Sequence, residues 1–68
     1  MFLFTQKFNE VLKYSPLKQK EIADKLGVHR NTITEYKKGR AYPSLQQFTK
    51  LCEILDVSAD YLLGIKEY

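Results

Sequence analysis

The sequence predicts an all-α fold: one small domain of five short helices. Three observations carry that prediction. Apolar residues recur at spacings of three and four along the chain, the period of a helix with one buried face. No segment sustains a period-two alternation, and the β-branched residues are scattered. Glycine, proline and serine punctuate the apolar stripes where one short helix would give way to the next. A chain of 68 residues holds one domain at most, with a stability of roughly 3–5 kcal/mol for a core of that size.

Phe4, Phe8, Val11 and Leu12 form the stripe of helix 1, which is expected to run from about Phe4 to Lys13. Ser15-Pro16 ends it, because proline disfavours helical geometry at the residue before it. Helix 2 turns Ile22, Ala23 and Leu26 to one side and stops at Gly27, a residue suited to the left-handed position past a helix end. Helix 3 follows within a few residues, with Val28 and Ile33 inward, and Gly39 ends it in the same way. Ser44-Leu45-Gln46-Gln47 is an S-x-x-Q capping box that opens helix 4. Leu45, Phe48, Leu51, Cys52 and Leu55 are assigned to its buried face. Ser58 caps a short helix 5 that carries Leu62 and Leu63, and Gly64 closes it.

Charge divides unevenly. Residues 1–40 carry nine Lys/Arg against four Asp/Glu, whereas residues 41–68 carry two against four, so a net +3 splits into +5 and −2. A basic amino-terminal part beside an acidic carboxy-terminal part favours a polyanion on one face. The single cysteine, Cys52, excludes an internal disulfide, and one histidine, His29, gives no metal-ligand cluster. MFLFTQKF is too short in apolar residues for a signal peptide or a membrane span, so a cytoplasmic protein without membrane partners is expected. Catalysis is not expected: there is no glycine-rich phosphate loop, no G-x-S-x-G and no framed carboxylate pair. His29 and Cys52 fall on different helices, and Cys52 on an apolar stripe reads as a small core residue. No cofactor, metal or small-molecule ligand is implied.

Residues 19–38 form a helix, a tight turn with glycine and a second helix, the helix-turn-helix pattern whose second helix can enter a DNA major groove. Ile22, Ala23, Leu26, Val28 and Ile33 are the apolar weld between the two helices, and the small Ala23 permits a close approach. The run Gln19, Ile22-Ala23, Gly27-Val28, Ile33, Tyr36, Gly39, Pro43-Ser44-Leu45, continuing through Leu51, Leu55, Val57-Ser58 and Leu62-Leu63, resembles the Cro/cI-type (XRE-like) helix-turn-helix of phage repressors and bacterial regulators. The resemblance implies a compact five-helix, lambda-repressor-like DNA-binding domain over residues 4–64, with 65–68 as a tail.

It also implies roles for particular residues. With Ile33 inward and about 100° per residue, Asn31 and Glu35 point outward, flanked by Thr34 and Lys38 on one side and Thr32 on the other. Arg30, Asn31, Thr34 and Glu35 are assigned to base readout, since Arg grips guanine, Asn grips adenine and Glu accepts from cytosine. Lys18, Gln19, His29, Thr32, Lys38, Arg40 and Tyr42 are assigned to the DNA backbone, with Gln19 in the first turn of helix 2, where free N–H groups attract phosphate. A homodimer on a palindromic double-stranded operator is expected, with Tyr61, Ile65 and Tyr68 as possible dimer contacts. The protein would be a bacterial or phage-encoded regulator associated with the nucleoid. The alternative function is a protein-interaction module of the same fold, such as an antitoxin or a bridging factor.

The chain departs from the resemblance at two pairs of positions. Many relatives pair an arginine near the end of helix 1 with a glutamate after the aromatic of helix 3; here the positions hold Leu12 and Lys37. Losing both partners avoids the uncompensated buried charge that losing one would leave. Leu12 is expected to pack on Tyr36, with the Lys37 stem crossing them toward solvent or phosphate. Lys18 and His29 stand where Ser or Thr usually caps helices 2 and 3, so both caps are expected to be missing. Ser15-Pro16 offers an earlier start for helix 2, and a protonated His29 would favour phosphate.

Overall fold

The computed structural model describes residues 3–65 as five helices: α1 (Phe4–Tyr14), α2 (Gln19–Leu26), α3 (Arg30–Lys37), α4 (Leu45–Leu55) and α5 (Ala59–Leu63). Among the described residues there is no strand. No helix is long and apolar enough to cross a membrane. The core is Phe4, Phe8, Ile22, Ala23, Leu26, Ile33, Tyr36, Leu51 and Leu62, so every helix contributes to it. Phe4 and Phe8 lie one turn apart on α1 and stack at 5.2 Å. The Tyr36 ring meets both edge-on, at 6.5 and 6.2 Å, an arrangement aromatic quadrupoles favour. Burial pushes the Tyr36 phenol above its ordinary pKa.

The α1–α2 connection corrects one expectation. Helix α2 starts at Gln19 and not at Ser15-Pro16. The Ser15 hydroxyl is spent on a local turn, accepting from the Leu17 N–H at 3.1 Å. Lys18 has no side-chain acceptor to offer the free amides of α2 and caps none of them. Glu21 instead reaches back to accept from the Lys18 backbone N–H at 2.9 Å. Gly27 then ends α2 at φ +80°. Its N–H and that of Val28 both turn back to the Ala23 carbonyl, at 2.9 and 3.0 Å. An L residue would be strained at that φ, and this tight reversal sets α3 against α2.

His29 is the second correction. It does cap α3: Nδ1 accepts from the Asn31 N–H at 3.0 Å. That arrangement belongs to the neutral ring, because an imidazolium has no lone pair for Asn31. Ser44 and Ser58 cap α4 and α5 as read, accepting from the Gln47 and Tyr61 N–H groups. The return bond from the Gln47 side chain is not made among the described residues, so half of the expected capping box forms.

Leu45 does not join the buried face of α4. It is 85% exposed, because it occupies the first helical position, one turn beyond the end of the core. Leu51 is fully buried, while Phe48, Cys52 and Leu55 are half-buried against the core. Asp56 ends α4 in the left-handed region at φ 55°, a stop without glycine. Leu62 is fully buried and completes the core at α5. Leu12 is half-buried against the core, and the exposed Lys37 sends its ammonium to the Gln19 side chain at the start of α2.

Candidate nucleic-acid interface

The face of α3 away from the core is assembled from few residues. Ile33 and Tyr36 are 0% and 5% exposed and fix the helix on one side. Arg30, Asn31 and Lys38 are exposed, and Thr32, Thr34 and Glu35 are half-exposed. The C-terminal end of α3 is tied to α1 by Asn9, whose Nδ2 donates to the carbonyls of Thr5 (2.8 Å) and Lys37 (2.9 Å). A helix of eight residues is too short to persist alone in water, so these anchors and the His29 cap give α3 its order.

Side-chain bonds across the α2–α3 joint were not legible in the sequence. Gln19 Nε2 donates to Thr34 Oγ1 at 2.7 Å and to the Arg30 carbonyl at 3.1 Å. Its Oε1 accepts from Lys37 Nζ at 3.5 Å. Thr34 in turn directs its hydroxyl toward the Arg30 carbonyl at 3.5 Å. The amide orientation is fixed by the Arg30 carbonyl: flipping it would set two carbonyl oxygens against each other. The one available signal was the spacing of residues 30, 34 and 37, which share one ridge of α3.

The other residues assigned to DNA stand at the ends of α2 and α3 and in the loop that follows α3. Arg40 Nε lies 3.8 Å from Glu35 Oε2, so a residue assigned to the DNA backbone pairs with one assigned to bases. Both are substantially exposed, and a pair of that kind adds little to stability. The Arg40 N–H also donates to the Glu35 carbonyl at 3.0 Å. Lys18 and Gln19 stand at the start of α2, His29 and Thr32 at the first turn of α3, and Lys38 at its end. Tyr42, 54% exposed, follows in the loop before α4, its ring 6.0 Å from that of Phe4. Of the three residues expected at a dimer contact, two are described. Tyr61 is half-buried on α5 with Lys7 Nζ 5.1 Å from its ring centroid, and Ile65 is 67% exposed. Tyr68 lies outside the described residues.

Cys52 is half-buried on α4, and burial pushes its thiol up, with Glu53 adding to the shift. No group of three or more His, Cys, Asp or Glu among the described residues could hold a metal ion. An open groove of about 830 Å³ runs between the end of α1 and the α4–α5 turn, lined by Tyr14, Leu55 and Tyr61 among others, and no residue of α3 lines it.

This combination of fold and surface has close parallels. The helix-turn-helix family profile matches residues 17–62, and the chain belongs to that family, in its XRE-type branch. It is 38% identical over 61 residues to an uncharacterized HTH-type transcriptional regulator of Bacillus subtilis, YqaE, covering 90% of this chain and 53% of YqaE. It is 39% identical over 49 residues to the HTH-type transcriptional regulator ImmR of the same organism, covering 72% of this chain and 39% of ImmR. The chain thus spans about half the length of YqaE and less of ImmR. Among solved structures, a transcriptional regulator from Listeria innocua superposes with a TM-score of 0.85 at 25% identity, over 100% of this chain and 64% of that one. The SOS-response transcriptional repressor LexA from Eubacterium rectale gives 0.82 at 26% identity, over 90% and 65%. The family's members among these relatives are transcriptional regulators and not enzymes.

Proposed function

We propose that the chain is the DNA-binding unit, residues 4–64, of a transcriptional repressor that sets α3 into the major groove of a palindromic operator as a homodimer. The observation that carries this is the division of α3: Ile33 and Tyr36 are locked into the core while Arg30 and Asn31 stand exposed on the same eight residues, and Lys38 just past their end. A helix so anchored presents a fixed polar edge to a groove, which is what direct readout needs. In this reading Arg30 reads guanine, Asn31 adenine and Glu35 the amino group of cytosine. Because the Thr34 hydroxyl is engaged with Gln19 and the Arg30 carbonyl, Thr34 offers its methyl group, the partner of a thymine methyl.

Lys18, the Gln19 backbone, His29, Thr32, Lys38, Arg40 and Tyr42 contact the sugar–phosphate backbone and set register. Tyr61 and Ile65 belong to the dimer contact, which brings two α3 helices to half-sites about one helical turn apart. The protein would act in the bacterial cytoplasm, on the nucleoid.

Selection of bound sequences from a random duplex pool, followed by titration of the selected site, tests this reading. It predicts a palindromic site whose affinity falls steeply with salt, and one complex containing two chains by analytical ultracentrifugation. No binding to any duplex at 50 mM salt would reject it and leave the fold as a protein-interaction module. A nonpalindromic site bound by one chain would reject the dimer alone.

A further inference from the structure

Gln19 is assigned to the DNA backbone, yet its side chain has nothing left to give a phosphate. A neutral carboxamide has two N–H donors, and both point inward, to Thr34 Oγ1 and the Arg30 carbonyl. Its one acceptor oxygen meets the Lys37 ammonium at 3.5 Å. Lys37 is in the opposite position. An ammonium has three N–H donors, of which Gln19 takes one.

Its surroundings leave that charge uncompensated. Lys37 is exposed, and among the described residues its ammonium forms no ion pair, whereas Arg40 meets Glu35 and Lys7 meets Glu10. It lies on the same ridge as Arg30 and Thr34, about 40° round the helix from Ile33 at 100° per residue, so its stem runs along the α2–α3 joint. It ends beside the first residue of α2, whose backbone amides no side chain caps. A cation at the positive end of a helix is unfavourable; Glu21 supplies one carboxylate there, bonded to the Lys18 N–H, but it forms no ion pair with Lys37 among the described residues. An anion at the start of α2 would find the Lys37 ammonium beside it, held by the Gln19 side chain.

We infer that Lys37 is a phosphate-contacting residue of the interface, held in place by the Gln19 carboxamide, and that it takes over the side-chain contact Gln19 cannot make. The inference rests on the DNA-binding reading above. It gives the lysine that stands in place of an acid a role in affinity without a role in sequence choice, because a phosphate contact carries no base information.

The test is the salt dependence of binding to the selected duplex by the intact chain and by Lys37→Gln, Lys37→Met and Lys37→Arg. Each neutralised phosphate contributes about 0.9 to the slope of log K against log salt. Lys37→Gln and Lys37→Met should each lower the slope by about 0.9, so that wild type loses about 3.5-fold more affinity than they do between 50 and 200 mM salt. Lys37→Arg should keep the wild-type slope, and all four should prefer the same sequence. Folding is checked by thermal melts; the Asn9 bond to the Lys37 carbonyl is available to every variant. An unchanged slope in Lys37→Gln and Lys37→Met, with wild type binding its site, overturns this inference alone. A changed sequence preference overturns it too, by making Lys37 a base contact. No binding by wild type overturns the DNA-binding reading and this inference with it.

Discussion

Replacing His29 by alanine isolates one bond. His29 Nδ1 accepts from the Asn31 N–H at 3.0 Å and is the side-chain cap of α3. Removing a helix N-cap costs about 0.5–2 kcal/mol. The bond is solvent-exposed, and water can replace the lost acceptor, so the lower half of that range applies, about 0.5–1 kcal/mol. A domain of this size loses about 4–8 °C of Tm per kcal/mol, so His29→Ala should melt about 2–8 °C below wild type. Asparagine has an acceptor of comparable reach and is among the best N-caps, so His29→Asn should restore most of that loss. Thermal unfolding followed by far-UV circular dichroism at neutral pH measures all three. If His29→Asn melts as low as His29→Ala, the cap is not what His29 contributes, and its stabilising contact lies elsewhere on the ring.

Gly64→Ala should destabilise more than Gly27→Ala, although both glycines sit at φ +80°. An added Cβ at Gly64 would lie 2.7 Å from the Leu3 Cβ, while at Gly27 nothing lies within 4 Å; the Gly27 change is left with the left-handed strain of about 1–2 kcal/mol. Equal losses in a urea titration would contradict this. Leu45→Gln should change Tm by no more than the about 0.5 kcal/mol equivalent of a surface substitution, because Leu45 is 85% exposed; a core-sized loss would return Leu45 to the buried stripe. Burial raises the Tyr36 phenol above 10.0 and the Cys52 thiol above 9.0. Both groups therefore release protons more readily when unfolded, so their contribution is intact below about pH 9 and lost as pH rises beyond it. A Tm that stays level from pH 8 to 11 would count against that.

What the sequence disclosed and what it withheld follow a physical division. Ser44, Ser58, Gly27 and Gly64 act within three or four residues of themselves, and their roles were readable from local chemistry alone. The core residues Phe4, Phe8, Ile22, Ile33 and Leu62 were readable from period. Leu45 shows the limit of period: it keeps the spacing of Phe48 and Leu51, but no other element extends far enough to cover it. Asp56 was missed as the stop of α4 because a left-handed residue other than glycine carries a weak signal. His29 was read as a missing cap, since imidazole seldom supplies that acceptor. The Gln19–Thr34–Lys37 and Glu35–Arg40 contacts join residues by rotamer choice across a joint or around a helix end. Spacing alone does not specify them.

Asn9 has a consequence beyond the two carbonyls it meets. It sits on the first helix of the chain, and one of those carbonyls belongs to the last residue of α3. A chain emerging from a ribosome has made α2, the turn and all of α3 with Asn9 already waiting, 28 residues upstream. The polar edge of α3 therefore needs nothing synthesised after it for that tether, but Leu51 and Leu62, which seal the core, arrive later. Competence would come to a nascent chain late, when the last buried leucine closes the hydrophobic interior around a helix whose tethering residue was made first.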